Sequence, residues 1–203
     1  MISRLLILPV ASFALAAPAV AQPSVIRRAQ EHLRGVQTLT ADFVQSDRAG
    51  RRMSGQMTLK QPGRVRFQYE RGVPILVVSD GRALNFIDYQ VGQVSRYPVA
   101  GSPLAVLLNP KRDLSRFARV VPSTSPGVIT ILARDPVRPQ FGSITLAFTQ
   151  SASAPGGLIL EGWVALDAQN NRTTVRLTNQ RMNVAVPDAA FQWDDPRPKR
   201  KKP

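Results

Sequence analysis

The chain has 203 residues and a formal net charge of +14, from 27 Lys+Arg against 13 Asp+Glu, with one His and no Cys. The missing thiols exclude a disulfide scaffold, and a single imidazole argues against a transition-metal site. The cationic surplus favours anionic membrane surfaces or acidic partners, and it says nothing about fold.

Met1 to Arg4 form a short positive start, Leu5 to Ala17 are apolar apart from Pro9 and Ser12, and Ala19-Val20-Ala21 is a small-x-small cleavage site. This is the pattern of a secretory signal peptide over residues 1–21, since the apolar run is too short to span a bilayer comfortably. No Cys follows the cleavage site, so the mature chain is not expected to be lipid-anchored itself. The rest of the chain suits one domain with a sizeable core.

Ser24 can cap a helix whose apolar positions are Val25, Ala29 and Leu33, with Ile26 and Val36, and Gly35 is placed to stop it. Its other side carries Arg27, Arg28, Gln30, Glu31 and Arg34, and His32 reads as a surface residue there. Alternation then begins with Leu39, Ala41 and Phe43, and Ser46–Gly50 supplies a turn. In Arg52–Glu70, Met53, Gly55, Met57 and Leu59 share one side, and after a turn at Pro62-Gly63 so do Val65, Phe67 and Tyr69. A period of two makes this an antiparallel hairpin with one apolar face. Two methionines on that face suit an adaptable surface better than a rigid core.

Pro74–Ser79 is a dense apolar run ending at the tight-turn pair Asp80-Gly81, and Ala83–Tyr89 with Gln93–Tyr97 read as another strand pair. At Gly101 the alternation breaks. Ser102-Pro103 reads as a cap before the apolar Leu104–Leu108, and Asp113 can cap a second short helix bearing Leu114, Phe117 and Val121. Strands return at Val128–Arg134, Ser143–Thr149, Leu158–Asp167 and Arg172–Met182, followed by a turn at Pro187-Asp188 leading to Phe191 and Trp193. The ending PRPKRKKP is too polar and proline-rich to fold. The total is about ten strands, antiparallel by their short connections, and three short helices.

Chemistry is scarce. There is no nucleophile elbow or phosphate loop, Gly92, Gly101 and Gly142 stand isolated, and Asp194-Asp195 point apart in an extended chain. The charge could serve nucleic acid, but no exposed aromatic platform is interleaved with it. Neither an enzyme nor a nucleic-acid binder is expected, and no cofactor is implied.

The segments LTADFVQSDRAGRRMSGQMTLKQPGRVRFQYE (39–70), ILVVSDGRALNFID (75–88), SPLAVLLNP (102–110) and VPDAAFQW (186–193) carry a resemblance. In order and spacing the chain, from Val25 to about Trp193, resembles the LolA family of periplasmic outer-membrane lipoprotein carriers. The resemblance implies a mainly β fold with short helices: an unclosed antiparallel β-barrel, or half-barrel, with a lid of about three helices over an apolar cavity. It implies a carrier domain over 22–195 and a basic tail over 196–203. Implied partners are acylated lipoproteins as cargo, an inner-membrane lipoprotein-releasing ABC transporter and an outer-membrane lipoprotein receptor, with the carrier acting as a monomer. A rival of another class is a periplasmic lipid- or lipoprotein-sensing regulatory domain of the same fold.

On that resemblance the acyl-chain cavity falls to Leu39, Phe43, Met53, Met57, Leu59, Val65, Phe67, Phe86 and Trp163, and the lid to Leu104, Leu107 and Leu108. Family members often carry Arg just before the hairpin proline, where it holds the lid closed. This chain has Gln61 there, which cannot make Arg's bidentate contacts, so the latch is in question or is shared with Arg64 or Arg66.

Overall fold

The computed structural model describes residues 24–198. The expected signal peptide and the last five residues of the basic tail lie outside them. The first helix, α1 (Val25–Gly35), begins where Ser24 Oγ accepts a bond from the Arg27 amide at 3.3 Å. It leads into β1 (Thr38–Ser46), β2 (Arg52–Lys60), β3 (Arg64–Tyr69), β4 (Ile75–Ser79), β5 (Ala83–Asp88) and β6 (Gln93–Pro98). A connection through residues 99–117 carries the short helix α2 (Ala105–Leu108). Then follow β7 (Ala118–Val121), β8 (Ile129–Arg134), β9 (Ser143–Gln150), β10 (Leu158–Leu166) and β11 (Arg172–Met182).

All eleven strands form one antiparallel sheet in the order β6-β5-β4-β3-β2-β1-β11-β10-β9-β8-β7. Two hairpin meanders, β1–β6 and β7–β11, are fused by pairing β1 with β11 along Leu39↔Met182 to Ser46↔Thr174. The edges β6 and β7 do not pair with each other, so the barrel stays open. Register breaks between Thr40 and Asp42 and between Leu160 and Gly162 bend the sheet in the manner of bulges. Gly162 has φ +154°, and a Cβ there would collide with the Val175 carbonyl oxygen, so only glycine lets the strands approach this closely.

The concave face holds the main core, including Leu39, Phe43, Met57, Phe67, Leu146, Phe148, Trp163 and Val175. Tyr69, Phe43, Phe67 and Trp163 form a chain of edge-to-face rings, with centroids 5.2, 5.3 and 6.2 Å apart in turn. The convex face carries a second, smaller core. There Leu76, Val78 and Ile87 are covered by Val186 and Phe191 of the C-terminal segment. This explains why β4 reads as a continuous apolar run: it is covered on both faces, and alternation marks a strand covered on only one. Arg66 donates to the Gln192 carbonyl at 2.8 Å, while Lys60 and Arg64 meet Asp188 at 2.6 and 2.8 Å, which fastens that segment down.

Two expectations about the connection need correction. The helix expected from Asp113 to Val121 is a single 3-10 turn, Leu114–Arg116, after which Ala118–Val121 pairs with β8 as the edge strand β7. The stiff, β-branched Val120-Val121 gains a partner strand, whereas so short a helix is marginal. Asp113 does cap, accepting from the Ser115 amide at 3.0 Å. Ser102 does not cap α2. Its hydroxyl donates to the Val99 carbonyl at 2.9 Å, and the helix starts at Ala105 with no side-chain cap.

Because Phe191 fills the convex core, Phe191→Ala is expected to lower folding stability by about 3 kcal/mol, read as a reduced urea midpoint at unchanged m-value.

Candidate functional site

The site is the part of the concave face under the lid. Register lines up Leu39, Leu59 and Val65 across three strands, with Met57 opposite Phe67 in the next row. Leu160 and Trp163 of β10 close the other flank. From above come Leu104, Leu107 and Leu108 of the connection and His32, Leu33 and Val36 of α1 and its end. These residues enclose a cavity of about 30 Å³. Pockets for drug-sized ligands run to about 300–1,000 Å³, so the lid leucines themselves occupy this interior.

Ten of the residues singled out in the sequence line this cavity: Leu39, Met57, Leu59, Gln61, Val65, Phe67, Leu104, Leu107, Leu108 and Trp163. Three do not. Phe43 is fully buried one row along, edge-on to Phe67 and Tyr69. Met53 is half-buried against the same core beyond it. Phe86 shares the concave face through the row Phe67↔Val77↔Phe86 but is 38% exposed, because the lid leaves the β5–β6 end of the sheet uncovered.

His32, Leu33, Val36 and Leu160 complete the lining. Leu33 and Val36 were on the expected apolar face of α1, and Leu160 was in an expected strand. His32 is a correction. It is 3% exposed and packs edge-on to Phe148 at 5.7 Å, so it is not a surface residue. The buried face of α1 takes in Ala29, Gln30, His32 and Leu33, wider than the stripe of hydrophobic residues, because the helix is wedged between the sheet and the loop at Pro155–Gly157. Arg28 fixes it there, donating to the carbonyls of Gly156 and Gly157 at 2.9 Å each.

The lid is tied at two places. Gln61 Nε2 donates to the Leu107 carbonyl at 2.8 Å, across the hairpin mouth. Gln30, buried on α1, donates to the Pro110 carbonyl at 3.0 Å and accepts from the Leu114 amide at 2.8 Å, and Arg34 adds a bond to Pro110 at 3.1 Å. Arg64 and Arg66 take no part, since both face the convex side and hold the C-terminal segment. Gln61 and Leu108 also line an open polar groove outside, with Lys60, Arg64, Arg82, Arg112 and Arg138 among its walls. The bond from Gln61 to Leu107 therefore stands between an apolar interior and a charged outer groove that also holds Asp80 and Asp188.

Electrostatics inside the site are simple. Burial pushes the His32 imidazole below its ordinary value of 6.5, and hydrogen bonding to the backbone of Pro155 and Leu158 partly opposes the shift. Its buried Nδ1 meets no partner at good hydrogen-bond distance and angle among the described residues. Burial likewise raises the Tyr69 phenol to about 12, a shift opposed by its hydrogen bond to Gln45 Oε1 at 2.8 Å.

Fold and site together define a lidded half-barrel with an apolar interior, a container in architecture. Residues 34–194 match the family model of outer membrane lipoprotein carrier protein LolA. The chain belongs to the LolA family, whose members are carriers and not enzymes. An outer-membrane lipoprotein carrier protein of Chromobacterium violaceum is 29% identical over 90% of this chain and 88% of its own length. One from Legionella pneumophila (strain Lens) is 28% identical over 83% of this chain and 84% of its own. A crystal structure of an uncharacterized conserved protein from Thermus thermophilus shares the fold at TM-score 0.52 and 12% identity, covering 88% of this chain and 96% of that one. No helix among the described residues is long and apolar enough to cross a membrane.

The lid and its histidine each yield a prediction. Gln61→Leu leaves the Leu107 carbonyl without its donor, a bond worth about 1 kcal/mol, so amide exchange across residues 105–109 should quicken about fivefold. For His32 the folded pKa is depressed, so the unfolded chain takes up its proton first as pH falls. Stability is then full above about pH 6.5 and declines below it toward the lower folded value. Denaturation midpoints between pH 7 and pH 5 should fall in the parent chain and stay nearly flat in His32→Phe.

Proposed function

We propose that this chain is a periplasmic chaperone. It takes lipoproteins released by an inner-membrane ABC transporter, shields their acyl chains in the half-barrel, and hands them to an outer-membrane lipoprotein receptor. The observation that carries the reading is the apolar interior kept closed by its own leucines and by the tether from Gln61 to Leu107.

The physics of the task demands both a shield and a weak one. Leaving an acyl chain of about fifteen methylenes in water costs on the order of ten kcal/mol, at roughly 0.8 kcal/mol for each. Transit across an aqueous space therefore requires cover. A cover that bound as strongly as a membrane would never release its load. Here an entering chain must displace Leu104, Leu107 and Leu108 from the floor and break the Gln61 bond, and each loss subtracts from net affinity. When the cargo leaves, the leucines reoccupy the floor. Met57 on that floor is unbranched and polarizable, which suits a surface that must fit chains of differing shape.

The carrier acts as a single subunit, and the domain from 22 to 195 suffices for it. The residues that meet acyl chains are those of the concave face under the lid, with Phe43 and Met53 as the next row reached once the lid lifts.

Two measurements test this. Chain recovered from a periplasmic extract should carry intact acylated proteins identifiable by mass spectrometry; recovery of the bare chain alone would sink the reading. Bromine-labelled acyl chains should quench Trp163 on the concave face and leave Trp193 on the convex face unaffected. In Met57→Glu that quenching should vanish, while Gln56→Glu, exposed on the other face of the same strand, should keep it.

A further inference from the structure

Among the described residues seven large hydrophobic side chains are exposed, and four of them, Phe86, Tyr89, Val91 and Tyr97, belong to the single hairpin β5–β6. Val91 stands at its tip and is 67% exposed. Phe86 and Tyr97 lie on the concave side, Tyr97 opposite Leu84, where the lid stops short of them. Exposed apolar side chains scattered singly need no explanation, but gathered on one hairpin they mark a surface that meets something apolar.

Cations converge on the same place. The C-terminal segment packs Trp193 on the convex core that also takes Val94 of β6, and a Cβ on Gly92 would stand 3.3 Å from the Pro196 carbonyl oxygen. The chain thus runs past the hairpin tip toward Pro198. Lys199, Arg200, Lys201 and Lys202 follow in the sequence, and four residues span about 14 Å at most. Of the acids just before them, Asp194 and Asp195, the second is already paired with Arg197 at 2.6 Å. A partner that covers the apolar tip therefore meets a cationic cluster as well. Addition of a further strand to the free edge β6 fits this hairpin less well. That edge carries Arg96, tied to Asp80 at 3.1 Å, and ends in Pro98, and a charge and a proline both blunt an edge.

We propose that the β5–β6 hairpin and the basic residues after Pro198 dock this protein on an anionic lipid surface. Val91 enters the headgroup layer, the cations meet the phosphates, and the rings of Tyr89 and Tyr97 suit the boundary, being apolar with a polar hydroxyl. Neither element suffices alone, since stable attachment to a bilayer takes an apolar and an electrostatic signal together. Every second turn of a meander falls at the same end of its strands. The hairpin tip is therefore at the opposite end of the strands from the Pro62-Gly63 turn and the Gln61 tether, and docking leaves the mouth clear. This surface is separate from the cavity, and its role does not depend on what the cavity holds.

Untagged protein running from Gln22 is sedimented with vesicles of phosphatidylcholine containing about one-third phosphatidylglycerol, and with vesicles of phosphatidylcholine alone. It should bind the first and not the second, and high salt should release it. Val91→Asp should weaken binding about tenfold, and Lys199→Gln, Arg200→Gln, Lys201→Gln and Lys202→Gln combined should weaken it at least as much, both at an unchanged urea midpoint. Val137→Asp makes the same charge change at a side chain 83% exposed in the β8–β9 connection, and it should bind as the parent does. Equal binding to both kinds of vesicle, or binding that either hairpin or tail variant leaves untouched, overturns the proposal. So does an equal loss in Val91→Asp and Val137→Asp. Absence of vesicle binding overturns it too, and a dimer that Val91→Asp separates would then make the hairpin an interface between copies of this chain.

Discussion

Everything distinctive about this molecule depends on the pairing of β1 with β11. That ladder places the two meanders side by side and sends their free strands, β6 and β7, to opposite edges of the sheet. Since β6 and β7 are consecutive in the chain, the connection between them has no short path. It must cross the mouth of the half-barrel, and residues 99–117 do so. The lid is therefore a consequence of topology, and its apolar side chains follow from where it runs. Leu104, Leu107 and Leu108 face a concave surface that would otherwise be open to water.

A lid of this kind must be held, but weakly. The tethers are single neutral or singly charged hydrogen bonds from Gln61, Gln30 and Arg34 to backbone groups, not the bidentate ion pairs that would lock it. The strong charge pairs lie elsewhere. Lys60 and Arg64 are spent on Asp188, and Arg112 and Arg138 on Asp135. Rigid interactions hold the C-terminal segment against the convex face and brace the rim, while the mouth is closed by contacts of modest strength. This division leaves the cover held less firmly than the sheet it closes.

The same sheet thus has two unlike faces. On the convex side Leu76, Val78, Ile87, Val186 and Phe191 form a small filled core that supports β3 to β5. On the concave side, beneath the lid, the packing is leucine, methionine and aromatic rings around a residual space. A strand such as β4 serves both faces, and this sets a practical limit on reading faces from a sequence. Where both sides are covered by different parts of the chain, alternation disappears and the run reads only as apolar.

The sequence by itself determined ten of the eleven strands, most of their turns and the apolar face of the central hairpin. Each of these is a local matter of period two and of turn residues such as Pro62-Gly63 and Asp80-Gly81. For the same reason Leu39, Met57, Leu59, Val65 and Phe67 could be placed on apolar strand faces from spacing alone, while their assignment to a cavity came from the family resemblance. Only the tertiary structure decided the rest. It buried His32, whose polar character marks it for the surface until a helix is wedged between sheet and loop. It turned Ala118–Val121 into an edge strand by offering it β8 as a partner, and it left Phe86 half in water because the lid does not reach β5. Burial, strand partnership and cover are relations between segments far apart in the chain, and local periodicity carries no record of which segment will arrive.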